Sequence, residues 1–183
     1  MILGLDVSTS CTGWCILHSD GTLIDMGCVP LEKFQGTFQK AERLGNVLLG
    51  LMLSHPIEKI TIEENLQAFR PGFSSARTLM TLARFNGIVS YICYDKLDIQ
   101  PEHINVNMAR KSVGLKINRK SDRTTKQQVI DWVSLQLENL DYKWPMKILK
   151  SGPRKGMEIL QPYCYDMADA YVIAKAHIML NKR

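Results

Sequence analysis

Apolar and polar positions along the chain change period several times, and each change marks an element. Residues 1–8 are a short apolar run of strand-forming type ending in small polar residues, the pattern of a buried strand. After a tight STSCTG segment, where Thr12-Gly13 is expected to serve the turn, residues 14–18 resume as a second strand. Ser19-Asp20-Gly21 is turn chemistry, and residues 22–29 return as a third strand, giving an antiparallel meander. The period then becomes helical. Phe38, Ala41, Leu44, Leu48, Leu51 and Met52 make 37–54 an amphipathic helix that His55-Pro56 breaks. KITIEEN (59–65) reads as a fourth strand, 74–94 as a long helix of small and apolar residues, and 104–106 as a fifth strand. Residues 126–140 place Val129, Trp132, Val133, Gln136 and Leu137 on one side of a helix. A basic loop rich in Gly and Pro follows, and 163–180 closes as an Ala-rich helix.

The order is therefore β-β-β-α-β-α-β-α-α, an α/β protein without internal repeats. With 183 residues, 45% apolar and 22% charged, the expectation is one globular domain spanning 1–183 with a core that needs no staples. No run of about 18 apolar residues predicts a membrane span. MILGLDVSTS has no basic start and meets Asp6, so it does not read as a secretion signal. Five cysteines (11, 15, 28, 93 and 164), none in a CxxC pair, read as reduced thiols of a cytoplasmic protein rather than a disulfide frame or zinc site. The four histidines (18, 55, 103 and 177) are scattered and read as structural or surface residues.

Charge sharpens the picture through its distribution. The net charge is +5, yet residues 1–109 hold 8 basic and 11 acidic side chains, and residues 110–155 hold 12 basic and 4 acidic. The whole excess lies in one stretch, an electrostatic footprint for a phosphate backbone. A solvated basic face that merely keeps the protein soluble would have the same composition.

Three places put carboxylates where chemistry could use them. Alternation sets Leu3, Leu5 and Val7 on one face of the first strand, with Ile2, Gly4 and Asp6 on the other. Gly4 and Ser8 leave space near Asp6; an unpaired buried charge is costly, and a cation is one remedy. Read alone, Asp6 could equally cap the turn that follows. In the fourth strand Glu63 shares its face with Thr61, and Glu64 with Ile60 and Ile62, so Glu63 is the one expected in a polar site; a one-residue slip would exchange them. Asp166 and Asp169 lie three apart near the start of the last helix, on one face, where the helix dipole favours negative charge. First-turn acid enrichment is the ordinary alternative. Together the four suit Mg²⁺ or Mn²⁺, and two such ions can activate water and stabilise a leaving 3′-oxygen.

GLDVSTSCTGW, TIEEN and DMADAYVIA, in this order and on these elements, resemble the RuvC family of Holliday junction resolvases over nearly the whole chain. The resemblance implies a ribonuclease H-like fold with a mixed five-stranded sheet and helices on both faces. It implies a homodimeric, Mg²⁺-dependent endonuclease that resolves four-way DNA junctions by paired nicks, with two ions per site and Mn²⁺ able to substitute. The family's catalytic, metal-holding acids fall on Asp6, Glu63, Asp166 and Asp169. Its basic residues near the site are similar to Lys111 in ARKSVG and Lys126 in TTKQQV; Lys116, Arg119, Lys120 and Arg123 are the further DNA-binding candidates. Phe69 and Phe73 follow the fourth strand, where the family carries aromatics that stack at the junction; core packing explains them as well. The long helix 74–94 is the candidate dimer interface. The segments 65–73 and 143–158 depart from the bacterial pattern. They leave cleavage preference and association with a branch-migration motor open, and suggest a phage or viral member acting in the host cytoplasm.

Other readings compete. GLDVSTSCTG also resembles the first phosphate loop of sugar-kinase-like and actin-like ATPases, but 183 residues are too few for their two domains. A ribonuclease H acting on RNA–DNA hybrids and a non-catalytic junction-binding module use the same fold and charge.

Overall fold

The structure, a computed structural model, describes residues 1–64 and 75–182. Phe69 and Phe73 lie outside the described residues. The chain opens with β1 (Ile2–Asp6), β2 (Cys11–Leu17) and β3 (Leu23–Pro30) and continues through α1 (Gly36–Ser54), β4 (Lys59–Glu63), α2 (Ala76–Leu97) and β5 (Glu102–Ile104). It then runs α3 (Val106–Ser112), α4 (Thr125–Gln136), a 3₁₀ turn (Glu138–Leu140), β6 (Met146–Ile148), β7 (Glu158–Leu160) and α5 (Cys164–Asn181). The main sheet has the order β3-β2-β1-β4-β5. Its β1–β2 and β2–β3 pairs are antiparallel, and its β1–β4 and β4–β5 pairs parallel, so the expected mixed five-stranded sheet is present.

Two differences from the expected order have simple causes. Helix α3 is seven residues long, too short to show a period, and the loop expected over 143–158 holds a hairpin whose strands, Met146–Ile148 and Glu158–Leu160, are only three residues each. A third difference concerns Thr12-Gly13. These residues lie inside β2, with Asp6 facing Gly13 across the ladder, and the turn occupies residues 7–10 instead. Ser8 organises that turn: its hydroxyl donates to the Cys11 carbonyl at 2.7 Å, and the Thr12 hydroxyl donates to the Ser8 carbonyl at 3.1 Å.

The two sheet faces are covered differently. Leu3, Leu5, Ile16, Ile60 and Ile62 meet Leu44, Leu48, Phe85 and Val89 of α1 and α2. The other face meets α5, and α3 and α4 then pack over α5, which is buried nearly all round. Its approach to the sheet is set by glycine. A Cβ on Gly4 would collide with the Ala170 carbonyl and lie 2.6 Å from the Ala174 nitrogen. A Cβ on Gly13 would strike the Asp166 carbonyl group. Helix and sheet are therefore in backbone contact at the turn that carries the two aspartates. No helix among the described residues is long and apolar enough to cross a membrane.

Candidate active site

Asp6, Glu63, Asp166 and Asp169 line one open cleft of about 830 Å³ at the end of the sheet. Each arrives by a different local rule. Asp6 ends β1, on the face that alternation gives to α5 rather than to the apolar Leu3–Leu5 side. Glu63 ends the neighbouring parallel β4 on the same face as Thr61, which meets His177 of α5 at 2.8 Å. The β4 end is pinned from α2, where buried Asn86 donates to the Glu63 carbonyl at 2.9 Å. Glu64 lines the cleft as well, and its N–H donates to the Ile104 carbonyl. Asp166 and Asp169, one turn apart on α5, are held against the sheet by the Gly13 contact.

Two cations stand among the acids. The Arg110 guanidinium donates to Asp169 Oδ1 at 3.3 Å, and Lys126 Nζ lies 3.5 Å from Asp166 Oδ1. Arg110 belongs to α3 and Lys126 to the first turn of α4, so the helices covering α5 bring the positive charge. Sequence reasoning named Lys111 and missed Arg110. Position 110 faces the cleft, while Lys111 is exposed and lines a shallow neighbouring pocket with Lys116 and Arg119. Without α3 in view, nothing told the two apart. Lys120 is exposed beyond them, and the Arg123 Nε lies 2.6 Å from Asp131.

The electrostatics are those of acids crowded faster than cations compensate. Burial pushes the Asp6 carboxyl well above its usual range, and the charges of Glu63, Asp169 and Asp166 push it further. Glu63 is raised to about 7 by burial and then by Asp169, with Arg110 and Lys126 opposing. Asp169 and Asp166 are also raised: in each, burial outweighs its cation partner. The Cys11 thiol, in hydrogen-bond reach of Cys28 and of Asp166, is held protonated. Among the described residues the only fully buried side-chain polar atom without a partner is Arg110 Nε. The donor set is all oxygen and short of positive charge, which fits a hard divalent cation. As placed, no three acidic, His or Cys side chains among the described residues are drawn together closely enough to hold one ion.

No family model matches the chain. Its sequence is 24% identical over 184 residues to the crossover junction endodeoxyribonuclease RuvC of Sulfurovum sp. (strain NBC37-1), covering 99% of this chain and 96% of that protein. The chain is thus similar to a RuvC along nearly its whole length. The RuvC likeness extends to fold. Thermus thermophilus RuvC in complex with Holliday junction substrate superposes with TM-score 0.64 at 15% identity, covering 97% of this chain and 92% of the other. Fowlpox virus resolvase with its junction DNA gives 0.55 at 14%, covering 100% and 99%. The yeast mitochondrial resolvase Ydc2 gives 0.55 at 17%, covering 97% and 77%. The fold is thus ribonuclease H-like, as the RuvC resemblance implies.

Proposed function

We propose that this chain is a structure-selective DNA endonuclease that resolves four-way junctions by paired, symmetric nicks. The observation that carries the reading is the convergence of four carboxylates, from two neighbouring strands and one helix, on a cleft that also holds Arg110 and Lys126. Asp6, Glu63, Asp166 and Asp169 would hold Mg²⁺, with Mn²⁺ able to substitute and two ions per site. When bound, the cations supply an activated water and charge stabilisation at the leaving 3′-oxygen. The chain's own residues position the phosphate. Arg110, which lines the cleft and pairs with Asp169, brings a cation to the place where a phosphate oxygen would sit. Lys126 stands at the mouth beside Asp166. Lys111, Lys116, Arg119, Lys120 and Arg123 extend the basic surface away from the cleft for the flanking backbone.

Paired nicks need two sites, and α2 supplies a seam for a second copy. Met80, Arg84, Gly87, Tyr91 and Tyr94 are all exposed and recur every three or four residues, a stripe of the kind that pairs helices, with Gly87 permitting close approach. We assign the homodimer interface to this stripe.

Purified protein with Mg²⁺ should nick a synthetic four-way junction symmetrically. Asp6→Asn should reduce nicking by on the order of a thousandfold or more while sparing junction binding. Equal cleavage of linear duplex, or faster cleavage of an RNA–DNA hybrid, refutes junction selectivity.

A further inference from the structure

We infer that the β6–β7 hairpin is a second DNA-gripping surface, holding the backbone of the duplex arm that leaves the cleft along the start of α5. The inference rests on the junction-endonuclease reading and assigns a task to one of the two segments that depart from the family's sequence pattern. Residues 142–157 contain five basic and no acidic side chains. Lys150, Arg154 and Lys155 are exposed at the tip, and Lys147 is half-buried on β6. Among the described residues none of these four makes an ion pair, whereas Arg110, Arg123 and Lys126 each do. Their charge is therefore available to an external anion.

The arm that carries them is built. Beyond the paired residues Met146 to Ile148, the ladder continues through Leu149, whose N–H donates to the Met157 carbonyl at 3.0 Å and whose carbonyl accepts from Gly156 at 2.8 Å. Gly152 and Gly156, at φ +80° and +86°, supply the left-handed turns that close the tip. The root is fixed at both ends. Trp144 Nε1 donates to the Ser134 hydroxyl of α4 at 2.9 Å and its ring packs edge-on against Tyr142. The Pro145 carbonyl accepts from Gln161 N and from the thiol of Cys164, the first residue of α5. Asp166 lies six residues beyond the end of β7.

A groove of about 440 Å³ leads from the acidic cleft to the segment that follows β7. It shares Lys126 and Asp166 with the acidic cleft and runs past Tyr165 and Tyr163 to Pro162, where the chain leaves the hairpin; Glu32 is the one acidic residue on its far wall. A strand seated at the cleft can thus exit along the start of α5 to Pro162, two residues from the end of β7, at the root of the arm that carries the four unpaired cations. Duplex DNA presents about one phosphate charge per 1.7 Å of axis, so an arm following that path meets the hairpin with several phosphates.

The test compares wild-type protein with the Lys147→Gln/Lys150→Gln/Arg154→Gln/Lys155→Gln variant on two junctions, one with arms of about 25 base pairs and one with arms of about 8. On long arms the variant should bind at least about tenfold more weakly near 0.15 M salt, and its log K against log salt slope should flatten by about 0.9 for each phosphate the protein no longer neutralises. On short arms the two proteins should bind alike. A tip-only variant, Lys150→Gln/Arg154→Gln, changes exposed side chains and should show a smaller loss of the same kind. Equal affinity and slope on long arms overturns the inference, and so does an equal loss on both junctions, which would place these residues at the crossover. Wild-type protein that prefers neither junction over linear duplex refutes the junction reading itself.

Discussion

The two faces of the main sheet are held by opposite means. Toward α1 and α2 the contact is made by bulk: Leu3, Leu5, Ile60 and Ile62 interdigitate with Leu44, Leu48, Phe85 and Val89, all buried. Toward α5 the centre of the contact is made by absence of bulk, with Gly4 and Gly13 letting strand and helix backbones touch. An interdigitated face can redistribute small changes among many side chains. A backbone-on-backbone face has no side-chain slack, so it transmits the sheet's geometry to the helix carrying Asp166 and Asp169. Both faces bury apolar cores, and the backbone contact of the second adds the positioning of the acids, which the first does not touch.

Paired substitutions break or confirm that division. Gly13→Ala places a methyl against the Asp166 carbonyl and must displace the first turn of α5 or the end of β2. A shift near 1 Å at reacting groups costs on the order of a hundredfold in rate, so nicking should fall by about that factor. Leu48→Ala should cost about 2–5 kcal/mol of stability by cavity formation. Its nicking rate, measured well below the melting temperature, should stay near wild type. Chemical denaturation and single-turnover nicking of both proteins read the two effects separately. A Leu48→Ala protein as slow as Gly13→Ala would show that the faces do not divide the work.

The same contrast explains what the sequence disclosed. Period-two alternation turned Asp6 and Glu63 each away from the apolar face of its own strand, and helical spacing placed Asp166 and Asp169 together, because each rule is local. The mixed five-stranded sheet, the helices on both its faces and the ribonuclease H-like fold followed from element order and the family motifs, whereas the strand order did not. Gly4 and Gly13 were read as space and as a turn, since their true partners, Ala170 and Asp166, lie more than 150 residues away. Arg110 was passed over for Lys111 because a seven-residue helix is too short to announce which side faces inward. The hairpin was read as a loop because three-residue strands carry no pattern, and only cross-strand pairing reveals them.

The acid cluster gives a second way to sharpen the comparison, through pH. Glu63 is raised to about 7 in the folded protein, whereas an unfolded glutamate titrates near 4.5. Below that lower value both states are protonated and folding bears no penalty from this group. As pH rises through about 7 the folded carboxyl must also ionise, and the full penalty is reached above it. Divalent-free protein should therefore lose stability from pH 5 to 8, and Glu63→Gln should recover on the order of 2 kcal/mol of that loss at pH 8. Melting curves of both proteins across this range, in chelator, isolate the Glu63 share by difference. A wild-type melting temperature that rises relative to Glu63→Gln over the interval would contradict the crowding of acids on the α5 face.

The smallest effect expected is at the outer layer, where α4 presents Lys126 to the site by its end rather than its body. Thr124 and Gln127 form a reciprocal cap: the Thr124 hydroxyl accepts from the Gln127 N–H at 3.3 Å, and the Gln127 side chain accepts from the Thr124 N–H at 2.9 Å. Thr124→Ala removes half of this box and should cost about 1 kcal/mol. The body of α4 stays anchored through buried Val129, Ile130 and Val133, so the loss is confined to the first turn. That turn carries Lys126, whose exposed side chain reaches Asp166 at 3.5 Å, and fraying it lowers the fraction of time the amine spends there. Nicking should fall only about three- to tenfold, with the melting temperature lowered by a few degrees. A loss as large as that of Gly13→Ala would move Lys126 from the mouth of the cleft to its chemistry, and would extend tight positioning from the α5 face to the layer above it.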